Sequence, residues 1–318
     1  MDIHEIKTLS DAIRENVERV IVGKSDVIDL LLTALYANGH VLLEDVPGTG
    51  KTMLAKSIAR SIGADFGRIQ FTPDLLPSDV TGLNYFNQKE GEFVFRQGPV
   101  FSHILLADEI NRATPRTQSS LLECMEEKQV TIDGNTMPLS GPFLVIATQN
   151  PVETAGTFPL PEAQLDRFLM QISVGYPSEE EEIAILTRTA FSNPLDRLTP
   201  VCSRETLLSV QESIDSVYVH PLILSYLIRI VHATREHSQI SLGVSPRGSI
   251  AFLRCLKAYA ALKGSSFATP EMVKYLAPYC LAHRLLLQAS YQQNGSGAGY
   301  IRDILEKVPV PTEDFNKN

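Results

Sequence analysis

Between His40 and Val174, short and nearly continuous apolar runs alternate with stretches of helical spacing: HVLLE, GRIQF, HILLADE, PFLVIAT and RFLMQISV. Such runs suit parallel strands buried on both faces. Their alternation with helices predicts an α/β class fold, a doubly wound αβα core around a parallel sheet. Upstream, Ile13, Val17 and Val20 share one helical face, and Val27 to Tyr36 form a second helix closing at Asn38-Gly39. Downstream of Tyr176-Pro177 the texture becomes helical, opening with the capping box Ser178-Glu179-Glu180-Glu181. Helices are expected near 178–190, 204–213, 221–237, 246–263 and 270–288. Asn294 to Gly299 reads as a link before a short helix carrying Ile301, Ile304, Leu305 and Val308. The division expected is therefore a core over 1–176 and an all-helical lid with a tail over 177–318.

Two segments break the core pattern. Asn84 to Arg96 alternates polar and apolar residues around Glu90-Gly91, and Gln129 to Leu139 does so around Asp133-Gly134-Asn135, so both predict β-hairpins. Taken alone, either is better explained as a plain surface hairpin with no special role.

Composition narrows the function classes. At 318 residues, 44% of them hydrophobic, the chain can bury a large core, and two domains are the expectation. No run approaches the roughly 18 apolar residues of a membrane span, so no membrane insertion is expected. The start MDIHEIKTLSDAI lacks a basic segment followed by an apolar one, and the expected location is the cytoplasm. A formal net charge of −9 argues against general attraction to nucleic acid or anionic lipid. Cys124, Cys202, Cys255 and Cys280 show no paired spacing and read as reduced thiols.

The stretch HVLLEDVPGTGKTML places a glycine-bearing turn between a strand and a helix. That arrangement lets successive backbone N–H groups wrap phosphate oxygens at a helix N-terminus. Gly48 and Gly50 allow close approach, Lys51 reaches the β- and γ-phosphates, and the Thr52 hydroxyl ligates Mg²⁺. The usual first glycine is Asp45 here, a residue type that tolerates unusual turn dihedrals. At the end of another buried strand, Asp108 is expected to hold Mg²⁺ and Glu109 to polarise the attacking water. Together they indicate ATP hydrolysis; no guanine-reading Asn-Lys-x-Asp string is present.

Further residues complete the expected site. Asn150, after the strand PFLVIAT, is placed to contact the attacking water or the γ-phosphate, or else caps a turn before proline. Ser245-Pro246 caps a helix whose first turn holds Arg247, a cation the helix dipole disfavours by roughly 0.3–1 kcal/mol. A γ-phosphate between the two domains would offset that; an indifferent exposed arginine is the alternative. Arg167, in LPEAQLDRF, is the candidate for reaching a neighbouring protomer's ATP, unless it simply pairs with Asp166. Arg112 and Arg116 are substitutes for that role.

Together EDVPGTGKT, LLADEINRATPRTQSSLLECMEE, ATQNP, LPEAQLDRF, SPR and ILEKVPVP resemble the MoxR family of AAA+ ATPases over nearly the whole chain. The resemblance implies a P-loop ATPase core, a helical lid and a hexameric ring, a homo-oligomer with ATP and Mg²⁺ at subunit interfaces. It assigns Walker A to Gly48, Gly50, Lys51 and Thr52, with Pro47, Thr49 and Met53 in the same nucleotide-binding stretch. Walker B falls on Asp108 and Glu109, the first sensor on Asn150, the arginine finger on Arg167 and the second sensor on Arg247. Val22-Gly23 falls on the adenine-side segment, and the two hairpins on inserts that face the pore or substrate. It also implies chaperone-like action on a client protein with a von Willebrand factor A domain partner. A magnesium-chelatase-like metal-insertion motor is the first alternative. A nucleic acid translocase, disfavoured by the acidic charge, and a nucleotide-gated scaffold with little turnover follow.

Overall fold

Two apolar sets interleaved along each central strand organise the chain. A computed structural model describes residues 1–46, 48–150, 156–189, 194–288 and 296–311. Helices α1 (Ile3–Glu18) and α2 (Ser25–Tyr36) lead into β1 (Val41–Glu44), α3 (Lys51–Ser61), β2 (Phe66–Gln70) and the short α4 (Pro77–Thr81). The hairpin β3 (Gly82–Asn87) and β4 (Glu92–Gln97) follows, then β5 (Ile104–Asp108) and α5 (Pro115–Glu127). A second hairpin, β6 (Gln129–Ile132) and β7 (Asn135–Pro138), precedes β8 (Leu144–Gln149), the single-turn α6 (Glu162–Leu165) and β9 (Met170–Ile172). The remainder comprises α7 (Glu179–Thr189), α8 (Arg204–Ser213), α9 (Pro221–Glu236), β10 (Ile240–Leu242), α10 (Pro246–Leu262), α11 (Pro270–Leu281), β11 (Leu286–Leu287) and α12 (Gly297–Lys307).

The five core strands form one parallel sheet in the order β2-β5-β8-β1-β9. In β5, Ile104 to Ala107 are all inaccessible to solvent, and they serve opposite faces in turn. Leu105 and Ala107 pack with Leu121, Leu122 and Met125 of α5, whereas Ile104 and Leu106 join a core shared with α1, α2 and α3. Each fully buried leucine or isoleucine contributes about 1.5–3 kcal/mol, which is why runs of this kind form the centre of the sheet.

The second core continues without a break into the carboxyl-terminal helices, through Phe252 of α10, Leu276 of α11 and Ile301 of α12. Among the described residues the elements of that region are helices, apart from the antiparallel pair β10 and β11 and an isolated bridge between Tyr218 and Phe267. Helix α11 ends at Leu281, short of the expected 288: the chain tightens into one turn over Ala282–Arg284 before β11. Tertiary bonds explain the stop. His283 Nε2 donates to the Phe168 carbonyl at 3.0 Å, and the buried Arg284 bonds the same stretch of chain.

Both expected hairpins form. Asp133 and Gly134 have φ of 52° and 82°, the left-handed pair required by a tight two-residue turn. Asn84 Nδ2 donates to Asp133 Oδ2 at 2.7 Å, joining one hairpin to the other. Phe86 and Phe93 sit across β3 and β4 in an edge-to-face pair with centroids 5.4 Å apart, and Phe93 is 73% exposed. Among the described residues no helix is long and apolar enough to cross a membrane. Cys124, Cys255 and Cys280 are buried and Cys202 is half-buried, all as free thiols.

Candidate functional site

Strands β1, β5 and β8 lie side by side and parallel, so their carboxyl ends bring three loops to one edge of the sheet. The loop after β1 leads directly into α3, whose N-cap is Gly50 with φ of 82°. Gly48 is also left-handed, with φ of 87°. A Cβ built on either glycine meets no atom within 4 Å. The loop therefore leaves open space in front of a helix N-terminus, which fits a polyphosphate. Lys51 Nζ donates to the carbonyls of Asp45 and Val46, each at 3.0 Å, folding its ammonium group back over this opening. Pro47 lies outside the described residues.

Asp45 occupies its position for a reason other than turn geometry, because its φ is not positive. Its buried carboxylate accepts from Ser173 Oγ at 3.1 Å, Gly175 N at 3.1 Å and Val174 N. A glycine could not tie the phosphate loop to the chain leaving β9.

At the end of β5 the carboxylates are held by neighbouring strands. Asp108 Oδ1 accepts from the Thr148 hydroxyl at 2.7 Å, and Oδ2 forms an ion pair with Arg68 at 2.8 Å. Glu109 is left-handed, φ 55° and ψ 50°, a conformation costing a non-glycine residue about 1–2 kcal/mol. Its N–H donates to Thr148 Oγ1 at 2.8 Å, and its Oε2 meets Gln70 Nε2 at 2.6 Å and Arg112 Nε at 2.9 Å. One threonine thus sets the geometry of both acids. Asp108, Glu109, Lys51, Thr52, Met53 and Asn150 line one cleft of about 380 Å³. The hydroxyl of Thr52 and the carboxylate of Asp108 form the hard oxygen donor set that suits Mg²⁺.

Beside this cleft an apolar pocket of about 190 Å³ is lined by Ile21, Val22, Met53, Leu54 and Ile185, with Thr49 at its rim. Its character suits a flat aromatic base. Gly23, φ 70°, turns next to it against the Glu181 side chain, leaving no room for a Cβ. Lys24 Nζ lies 3.8 Å from the Glu181 carboxylate, so α7 roofs the pocket.

Arg167 and Arg247 are not in this cleft. Arg167 Nε lies 3.0 Å from Glu126 Oε2, and Arg247 NH1 lies 3.1 Å from Glu126 Oε1. They line a separate depression with Lys128 and Arg254 that shares no lining residue with the phosphate cleft. Arg247, expected to face a phosphate between the two domains, does not line this chain's own phosphate cleft; the side chain beside it is Glu126. The reason is the anchoring of α10. Ser245 caps that helix by accepting from Gly248 N at 3.1 Å, and its hydroxyl donates to Asp166 Oδ2 at 3.0 Å. Arg284, whose side chain is 2% exposed, donates to Asp166 Oδ1 at 2.7 Å and to the Phe168 carbonyl at 2.7 Å. The start of α10 is thereby fixed to the chain carrying Arg167. The simple Asp166–Arg167 pair does not form, Arg112 faces Glu109, and Arg116 is exposed.

Sequence reasoning passed over Thr148, Arg68, Gln70 and Glu126. Thr148 ends an apolar strand and Arg68 and Gln70 are spaced i, i+2 on β2, signals that a closer reading could have used. Nothing in the sequence around Glu126 announces its partners.

Comparisons with known proteins agree with this geometry. Residues 40–170 match the model of the ATPase family associated with various cellular activities (AAA), and residues 232–307 match that of the AAA lid domain. The chain is 51% identical to YeaC of Bacillus subtilis over 98% of its length and 97% of that protein's. It is 44% identical to chaperone MoxR1 of Mycobacterium tuberculosis, covering 89% of this chain and 77% of that one. A crystal structure from Cytophaga hutchinsonii superposes with a TM-score of 0.91 at 40% identity, over 98% of this chain and 97% of that chain.

Proposed function

Since the chain belongs to the MoxR family of AAA+ ATPases, we propose that it hydrolyses ATP in a head-to-tail homo-oligomeric ring, a hexamer by family analogy, and uses the cycle to remodel a client protein. The observation that carries this reading is the separation of Arg167 and Arg247 from the chain's own phosphate cleft. Two cations that lie outside their own phosphate cleft, held there by the single carboxylate of Glu126, are suited to the triphosphate of the next protomer, and such heterologous contacts close into a ring.

Within one cleft the roles follow from position. The loop amides and Lys51 bind the phosphates, and Val22, Gly23 and Met53 bound the base. Thr52 and Asp108 would hold Mg²⁺, which when bound supplies charge neutralisation to the phosphates. Glu109 takes the proton of the attacking water as the bond from the γ-phosphorus to the bridging oxygen breaks. Asn150 orients that water or the γ-phosphate. The neighbour's Arg167 and Arg247 stabilise the charge that moves onto the leaving oxygen. The exposed Phe86–Phe93 pair presents apolar surface to a client. A von Willebrand factor A domain partner and a cytoplasmic location complete the reading by family analogy.

The test is ATP hydrolysis per subunit over a wide range of protein concentration, with Arg167→Ala alongside. A rate that climbs with concentration and is lost in the variant supports a site completed between protomers. A flat rate unaffected by the substitution refutes it.

A further inference from the structure

Glu126 belongs to neither the phosphate cleft nor the base pocket, yet it touches both arginines assigned to the neighbouring protomer. Resting on that assignment, we propose that Glu126 is a positioning residue that holds Arg167 and Arg247 together as one bidentate receptor for the next protomer's γ-phosphate.

Three observations lead there. First, the charges at the two helix ends have the wrong sign for their own dipoles. Arg247 is a cation in the first turn of α10, and Glu126 is an anion in the last turn of α5. Each is unfavourable alone, and at 3.1 Å they compensate one another. Second, the depression is crowded with cations. Lys128 and Arg254 line it as well, and the Lys128 ammonium has its pKa lowered by burial first and by Arg254 second. Arg284 is already committed to Asp166. Without a carboxylate between them, Arg167 and Arg247 would repel one another and diverge. Third, Glu126 holds the pair without using it up. A guanidinium carries five N–H donors, and the ion pairs engage Nε of Arg167 and NH1 of Arg247. The remaining donors are on side chains 30% and 47% exposed, open enough for phosphate oxygens to reach. This distinguishes positioning from blockade.

Glu126→Gln keeps the shape of the side chain but offers one acceptor and a donor where two cations need two acceptors. The full chain is assayed as wild type, Glu126→Gln and Arg167→Ala, each alone and mixed one to one with Lys51→Ala, which supplies an intact arginine pair on a dead phosphate cleft. Affinity for a fluorescent ATP analogue is measured in parallel. The expected result for Glu126→Gln is turnover lowered about tenfold, with KM and analogue affinity within twofold of wild type. Turnover should be regained in the Lys51→Ala mixture as it is for Arg167→Ala. A loss that the mixture does not restore, or a weakened analogue affinity, overturns the proposal, because damage to the fold would act in its own protomer. An unchanged or raised rate, with Arg167→Ala inactive, overturns the role of Glu126 alone. An unaffected Arg167→Ala overturns the ring reading and this proposal with it.

Discussion

The Thr148 hydroxyl donates to Asp108 Oδ1 at 2.7 Å across the β5–β8 boundary while accepting the Glu109 amide at 2.8 Å. Replacing Thr148 by valine preserves shape and removes both bonds, leaving the amide of the left-handed Glu109 unpaired. Thr148→Val should cost about 1–3 kcal/mol of stability, read from urea unfolding. Turnover should fall about tenfold with ATP affinity little changed, because Lys51 and the glycines are untouched.

Glu109→Gln separates binding from chemistry. The amide can still engage Arg112 or Gln70, so the left-handed turn persists, but it cannot accept a proton from water. Turnover should fall by about 10²-fold or more, while a fluorescent ATP analogue binds as to wild type. Equal losses of binding and turnover would show that Glu109 shapes the cleft instead.

Asp45→Ala should be costly despite the glycine usual at that position. It strips the Ser173 hydroxyl and the amides of Val174 and Gly175 of their acceptor. Bonds to a charged group contribute about 1.5–3 kcal/mol each at most and are not additive, so a loss of about 3 kcal/mol is expected in urea unfolding. ATP-analogue affinity should weaken too, since the loop loses its tie to the strand beside it.

Acid should destabilise the fold before the carboxylates titrate. Burial pushes the His40 imidazole down to about 4, and its ring is fixed neutral with Nε2 at 3.0 Å from the Met125 carbonyl and Nδ1 accepting from Val145 N at 3.0 Å. Burial and then Arg284 lower His283 in the same direction. An unfolded histidine takes a proton near 6.5, so between about 6.5 and 4 the unfolded chain binds more protons than the folded one. Stability is complete above that window and declines as pH falls through it. From pH 7 to pH 5, His40 alone should remove about 2 kcal/mol at 1.36 kcal/mol per pKa unit. His40→Gln should show a shallower dependence of Tm on pH.

The parts of this molecule that could be read from sequence are those whose cause is local. The strands of the sheet announce themselves because Ile104–Ala107 and Leu144–Ala147 are apolar on both faces. The Asp133-Gly134 turn is legible because two consecutive positive φ values restrict which residues can occupy it. The phosphate loop is legible from Gly48, Gly50 and Lys51 for the same reason. The end of α11 was not, because LAHRLLLQ keeps helical spacing and is interrupted only by bonds to residues more than a hundred positions earlier. The setting of Arg247 escaped for a related reason. Its helix, cap and dipole are local, but the choice between a phosphate and Glu126 as its counter-charge depends on where Asp166 and Arg284 dock α10.

Arg284 carries a mechanical consequence. Its guanidinium reaches Asp166, Phe168, Leu169 and Cys280 from a side chain that is 2% exposed. Pulling the turn at Ala282–Arg284 away from residues 166–169 would strand a desolvated cation, a penalty of several kcal/mol. Those two segments therefore move together, and Ser245 ties the start of α10 to the same Asp166. The joint between the Arg167 stretch and the Arg247 helix is thus a locked one: a shift of either would carry the other with it.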